Sequence, residues 1–170
     1  MPRLFIGLEP PPDFRDALAV LQGRIQAAGV TGRFLDPANL HLTLAFIGMW
    51  TEDVSALLPP VPAPFPLSLA SLGVFPEAKV LWAGVSPSQA LNSLAGEVRQ
   101  RLTAAGVPFD QKAFYPHITL LRKPVLPEAL RLDAIQIPPA EMTVSSVCLY
   151  RSDHTEAGMA YTVIGRSGAK

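Results

Sequence analysis

Two tetrapeptides carry the chemistry of this chain, His41-Leu42-Thr43-Leu44 and His117-Ile118-Thr119-Leu120. Each is a histidine, an aliphatic, a threonine and an aliphatic. In extended backbone successive side chains point to opposite faces, so His41 shares a face with Thr43, and His117 with Thr119. Within each pair the Cα atoms then lie about 6.6 Å apart, two residues at a rise of about 3.3 Å. That is too far for a snug pair and suits two groups gripping one small anion from the same side. Histidine, with an ordinary pKa of about 6.5, gives and takes protons at neutral pH. Two of them on opposite sides of a phosphorus divide the labour. One deprotonates an attacking water while the other protonates the departing oxygen. Threonine hydroxyls donate to the non-bridging oxygens, where charge builds up during transfer. The set fits in-line phosphodiester chemistry without a metal.

Other chemistries fit less well. Leu, Ile, Ala and Pro surround both histidines, and two imidazoles without a third ligand make a poor zinc site. There is no Gly-x-Ser-x-Gly elbow for a serine hydrolase and no phosphate loop ending in Gly-Lys-Ser/Thr. For one histidine on an apolar strand, a buried structural role is the plainer account. For two, each followed by threonine at equivalent points of a repeat, it is not, since folding does not require a polar pair at each sheet centre and burying one unpaired costs free energy.

The elements that must position these groups can be read in chain order. Leu4–Leu8 is a buried strand ended by prolines, and Phe14, Leu18, Leu21 and Ile25 mark one helix face. A loop follows through Pro37, then a strand over Leu40–Ile47 carries the first pair. Thr51 to Leu58 reads as a short helix, Phe65–Phe75 and Val80–Val85 as strands. The pattern then restarts. Phe5-Ile6-Gly7-Leu8 is echoed by Trp82-Ala83-Gly84-Val85 and Ala27-Ala28-Gly29-Val30 by Ala104-Ala105-Gly106-Val107, both at an offset of 77. The His/Thr pairs are 76 apart, and Leu67–Phe75 is echoed by Met142–Tyr150 at 75. The second helix shows Leu91, Leu94, Val98 and Leu102. Ser152–Met159 reads as a hairpin loop before a closing strand, Ala160–Gly165. The expectation is an α+β fold, a single bilobal domain over residues 1–170 with repeats at about 4–76 and 81–150. Two pseudo-two-fold lobes, each an antiparallel or mixed sheet with helices on the outer faces, would face each other across a central groove.

Composition narrows the partners. With 14 Lys+Arg against 14 Asp+Glu in 170 residues, the chain lacks the basic excess of a protein that coats a duplex. A nucleic acid would be gripped at an end. One cysteine, Cys148, excludes an internal disulfide and reads as a small buried strand residue. No apolar run reaches the ~20 residues of a membrane span, and a cytoplasmic monomer is expected.

These motifs resemble the two-histidine (2H) phosphoesterase superfamily, and more narrowly the RNA 2′,3′-cyclic phosphodiesterases, also called 2′-5′ RNA ligases. The resemblance rests on Arg3-Leu4-Phe5-Ile6, Pro37-Ala38-Asn39-Leu40 before the first motif, Leu81-Trp82-Ala83-Gly84, Pro116 before the second, and Leu149-Tyr150-Arg151-Ser152 with Gly158 and Tyr161. It implies opening of a 2′,3′-cyclic phosphate on an RNA end or nucleotide to a 2′-phosphate, with no cofactor. It implies His41 as proton donor and His117 as proton acceptor, roles that the residues alone do not distinguish. Thr43 and Thr119 would hold the phosphate, joined by Arg122, three residues beyond the second threonine. Arg122 has Phe46 as its repeat counterpart, so one lobe offers a cation where the other offers a ring. Phe46, Tyr115 and Trp82 are candidates to stack on a base, and each also reads as core or, for Tyr115, as a lead into the strand. Reversal of the chemistry would join RNA ends through a 2′-5′ bond. The alternatives are a non-catalytic module binding nucleotides or RNA ends, and a phosphodiesterase for 2′-5′ oligonucleotides or a cyclic phosphate on an ADP-ribose derivative.

Overall fold

The computed structural model describes residues 2–167. In chain order they form β1 (Arg3–Leu8), α1 (Pro12–Ala27), β2 (Thr31–Phe34), β3 (Leu42–Met49), β4 (Phe65–Phe75), β5 (Val80–Val85), α2 (Gln89–Ala104), β6 (Ile118–Val125), β7 (Glu141–Val144), β8 (Cys148–Thr155) and β9 (Gly158–Arg166). The class is α+β, as expected. Every strand pairing is antiparallel. The strands run in the order β7-β4-β5-β6-β3-β1-β8-β9, with β2 on the flank of β6. The two expected sheets are therefore two halves of one sheet, which join where Leu42 of β3 pairs with Ile118 of β6.

Both helices pack on the same face of that sheet. Phe14, Leu18, Leu21 and Ile25 of α1 and Leu91, Leu94, Val98 and Leu102 of α2 are buried in one core with Leu4, Ile6 and Leu8 of β1. Each such side chain contributes about 1.5–3 kcal/mol by leaving water. The intervening residues of β1 face the other way, where Phe5 meets Cys148, Tyr150, Tyr161 and Val163. Gln22, the buried polar residue of α1, donates to the carbonyls of Leu35 (3.0 Å) and Leu120 (2.9 Å), pinning the helix to the middle of β6. Cys148 is free and buried, as its setting in a strand predicts.

The halves are related by exchange of their outer strands. β1 lies between β3 and β8, while β5 lies between β6 and β4. Leu42 pairs with Ile118 and Leu67 with Met142, and in both cases the sequence alignment equates the two partners. The register also revises one part of that alignment. Phe5 lies opposite Tyr150 and Phe46, whereas Val80 lies opposite Phe75 and Arg122. Gly7 lies opposite Cys148 and Thr43, whereas Trp82 lies opposite Gly73 and Thr119. Trp82 thus takes the place of Gly7 rather than that of Phe5. A two-residue slip leaves the inside–outside pattern unchanged, so patterning does not reveal it.

Other expectations need correction. β3 starts at Leu42, so His41 stands just before the strand, as His117 stands just before β6. The loop expected before Pro37 contains the short, largely exposed edge strand β2. The helix expected over Thr51–Leu58 is a single 3₁₀ turn at Ser55–Leu57. The loop expected over Ser152–Met159 is mostly strand, because β8 continues to Thr155 and a turn at Glu156-Ala157 leads directly into β9. Among the described residues, no helix is long and apolar enough to cross a membrane.

Candidate active site

The Leu42–Ile118 pair sends both aliphatic side chains into the core, where each is buried. The antiparallel direction then sets His41 beside Thr119 and His117 beside Thr43 on the opposite face. The motifs are neighbours across the seam of one sheet rather than walls facing across a gap. His41, Thr43, His117, Thr119 and Arg122 all line one groove of about 1050 Å³ on the helix-free face.

The two imidazoles are held alike. His41 Nδ1 lies 2.7 Å from the carbonyl oxygen of Asn39, and His117 Nδ1 lies 2.7 Å from that of Tyr115. A carbonyl only accepts, so Nδ1 carries the proton in each ring and Nε2 is left to take or give one. The turn that presents Asn39 is fixed by Asp36, whose carboxylate accepts from the Ala38 N–H at 2.9 Å. The Asn39 side chain donates to the Met159 carbonyl (2.8 Å) and ties β9 to the same turn.

Their surroundings differ. Phe5 (ring centroids 4.5 Å apart), Tyr161 (5.1 Å, edge-on) and Tyr150 (5.6 Å) box in His41. Burial pushes its pKa down to about 4 despite the Asn39 carbonyl, which favours the cation, with Arg122, His117 and Arg15 adding positive charge that opposes protonation. His117 meets Phe75 edge-on at 4.9 Å and Trp82 at 6.3 Å. Burial lowers its pKa as well, against the raising effect of the Tyr115 carbonyl.

The aromatic candidates separate by position. Phe46 is exposed at 39%, lines the groove and has the Arg3 guanidinium 5.8 Å from its ring centre, so it is not core. Tyr115 is 58% exposed and also lines the groove. Trp82 is only 8% exposed and lies behind Phe75 and Tyr115, outside the groove lining, which removes it as a stacking platform. It is the backing of the His117 wall. Gly73 makes room for it, because a Cβ there would overlap the indole. His154 is exposed at the β8–β9 hairpin, with Nδ1 3.0 Å from the sulfur of Met159.

Sequence reasoning gave no role to Phe5, Phe75 or Tyr161. Their alternation within strands marked them as facing one side but not which side holds the site. Arg99 of α2 is another such residue. Its Nε donates to the Leu44 carbonyl (3.1 Å) and its guanidinium to that of Lys112 (2.7 Å), with the Phe109 and Phe114 rings each 5.7 Å away. It fastens the loop that leads into His117 to the strand that carries Thr43. Among the described residues, no group of three or more His, Cys, Asp or Glu side chains is placed to hold a metal ion.

Known proteins resemble this chain in sequence and in fold. The family model of the 2′-5′ RNA ligase superfamily matches residues 10–156. An RNA 2′,3′-cyclic phosphodiesterase of Aquifex aeolicus is 34% identical over 79% of this chain and 80% of its own. One of Geobacillus stearothermophilus is 30% identical over 88% of this chain, which spans about half (52%) of that relative's length. The E. coli LigT structure in complex with 3′-AMP superposes with a TM-score of 0.76 at 28% identity, covering 98% of this chain and 97% of the other.

Proposed function

The chain belongs to the 2′-5′ RNA ligase superfamily, and on that premise we propose that it hydrolyses 2′,3′-cyclic phosphates on RNA ends or nucleotides to 2′-phosphates. The observation that carries the reading is the Leu42–Ile118 pair, because it gathers two imidazoles and two threonine hydroxyls in one groove. Relatives named for this activity support it, as does a relative's structure with a bound nucleotide.

In the proposed reaction a water attacks phosphorus opposite the 3′ oxygen. His117 Nε2 takes the water proton as the new P–O bond forms. The P–O3′ bond breaks, its electron pair stays on O3′, and His41 Nε2 supplies the proton that makes the 3′-hydroxyl. Thr43 and Thr119 donate to the non-bridging oxygens, and Arg122 adds positive charge beside them. The low pKa of His41 has two consequences. Once protonated it is a strong donor, but burial holds it neutral at pH 7. The negative charge of the bound diester must raise it, since an adjacent anion favours the imidazolium. A 5′-hydroxyl in place of water would give a 2′-5′ linkage by the same proton transfers.

A binding module without turnover is the second reading, and intact His/Thr pairs in both halves argue against it. Parallel binding and turnover assays with 2′,3′-cyclic nucleotides separate the two. Turnover sustains the enzyme, and tight binding with no product sustains the module.

A further inference from the structure

Around Arg122, which lines the groove, the fold gathers exposed cationic residues that form no ion pair among the described residues. Arg33 of β2 lies directly opposite Arg122 of β6, and directly opposed residues of antiparallel strands project from the same face. Two guanidinium groups side by side repel, and like charges in that position destabilise a sheet. Lys123 follows Arg122, and its N–H donates to the carbonyl of Lys79 at 2.8 Å, bringing a fourth cation to the same corner. All four residues are exposed, and none joins an ion pair among the described residues. Glu77, in the same turn as Lys79, lines the groove but forms no ion pair with them.

The backbone adds a second observation. Lys79 (φ 55°) and Lys123 (φ 51°) are the only non-glycine residues with positive φ among those described. Glycine or asparagine would take that conformation more readily. Fold stability therefore favours neither the residue type nor the charge at these positions. An anionic ligand accounts for both, since strained backbone and unneutralised charge persist where something else uses them.

Resting on the cyclic phosphodiesterase reading above, we propose that Arg33, Lys79 and Lys123 bind the phosphodiester backbone of the RNA strand leading to the cyclic end. Arg122 lines the groove with the histidines, Arg33 lies opposite it on β2, and the backbones of Lys123 and Lys79 meet beside it. The zero net charge of the chain thus conceals a local track sized for a few phosphates. The substrate class it fits is an oligoribonucleotide end rather than a free cyclic nucleotide.

The test compares the wild type with the triple variant Arg33→Gln/Lys79→Asn/Lys123→Asn, in which asparagine keeps the left-handed backbone accessible. Substrates are a 2′,3′-cyclic mononucleotide and a short RNA ending in the same cyclic phosphate, each assayed across a salt series. The proposal expects kcat/KM on the RNA to fall about 10-fold at low salt, and its log–log salt slope to flatten by about 2, as three contacts to a single strand require. The mononucleotide should be turned over as by the wild type. Equal loss on both substrates, or no loss on the RNA, overturns the proposal and leaves the activity intact. Failure of the wild type on both substrates overturns the underlying reading instead.

Discussion

Leu42 and Ile118, 76 positions apart, pair across the seam where the two half-sheets meet. Each sits one residue after a motif histidine and one before its threonine. Their aliphatic side chains anchor the seam in the core, and the polar groups on either side are forced to the opposite face. Neither half-sheet has a site of its own. The groove has two histidines because the seam joins equivalent places in the two halves.

Removing either proton carrier should therefore disable the same reaction. His41→Ala and His117→Ala should each lower turnover about 10²–10⁴-fold, and the double variant should be little worse than the poorer single one, because the two act as a unit. Thr43→Val and Thr119→Val should cost less, about 10- to 150-fold, the loss of a hydrogen bond to a charged group. Steady-state rates on a cyclic mononucleotide, with circular dichroism as the folding control, measure all four.

Both histidines are held below their ordinary pKa, His41 near 4. The base must be unprotonated and the acid protonated, so kcat/KM should trace a bell with its maximum on the acid side of about pH 6.5. A flat profile from pH 5 to 9 would count against two titrating histidines. The same shift has a stability signature. Between about pH 6.5 and pH 4 the unfolded chain binds a proton at residue 41 that the native state does not. Stability is then complete above 6.5 and lost as pH falls toward 4, a loss that His41→Asn should lessen in urea titrations. NMR titration of the His41 ring should place its pKa near 4 in the free protein and higher with a 2′-nucleotide bound.

Phe46 is exposed and has Arg3 above its ring, so it should act in binding rather than folding. Phe46→Ala should weaken binding of a 2′-nucleotide by about 5- to 150-fold, the range for a base stacked on an aromatic ring. Its unfolding midpoint should hardly move. Calorimetric binding and thermal melts read the two effects separately.

Gly73 predicts the reverse combination. A methyl group there would overlap the Trp82 indole, and overpacking of this kind costs about 1–3 kcal/mol. Gly73→Ala should lower stability by that amount in urea unfolding. It should also lower turnover without touching the groove, because Trp82 and Phe75 form the wall beside His117.

The sequence announces the chemical groups and the helix faces most clearly. Twin His-x-Thr strings and a 3.6-residue apolar period are local signals, and both led to the right elements. What it hides depends on pairing over long distances or on weak local pattern. Thr31-Gly32-Arg33-Phe34 is too short and exposed at its edge to alternate, so β2 passed for loop. Arg151-Ser152-Asp153-His154-Thr155 is polar throughout, yet pairing with β9 keeps it extended. The two-residue slip that moves Trp82 onto the place of Gly7 preserves every inside–outside assignment, so the repeat matches Trp82 to Phe5, and of its two readings, core and base-stacking, the structure supports core. The aromatic box around His41 draws Phe5, Tyr150 and Tyr161 from three strands, and no local motif marks it.

The most direct test of the account identifies the product. The protein is incubated with a 2′,3′-cyclic nucleotide and with RNA bearing a 2′,3′-cyclic end, and the position of the product phosphate is read by phosphorus NMR. The account predicts a 2′-phosphate from both, because the 3′ oxygen departs with the proton from His41. A 3′-phosphate would contradict the assignment of the leaving oxygen, and no product from either substrate would contradict the proposed activity.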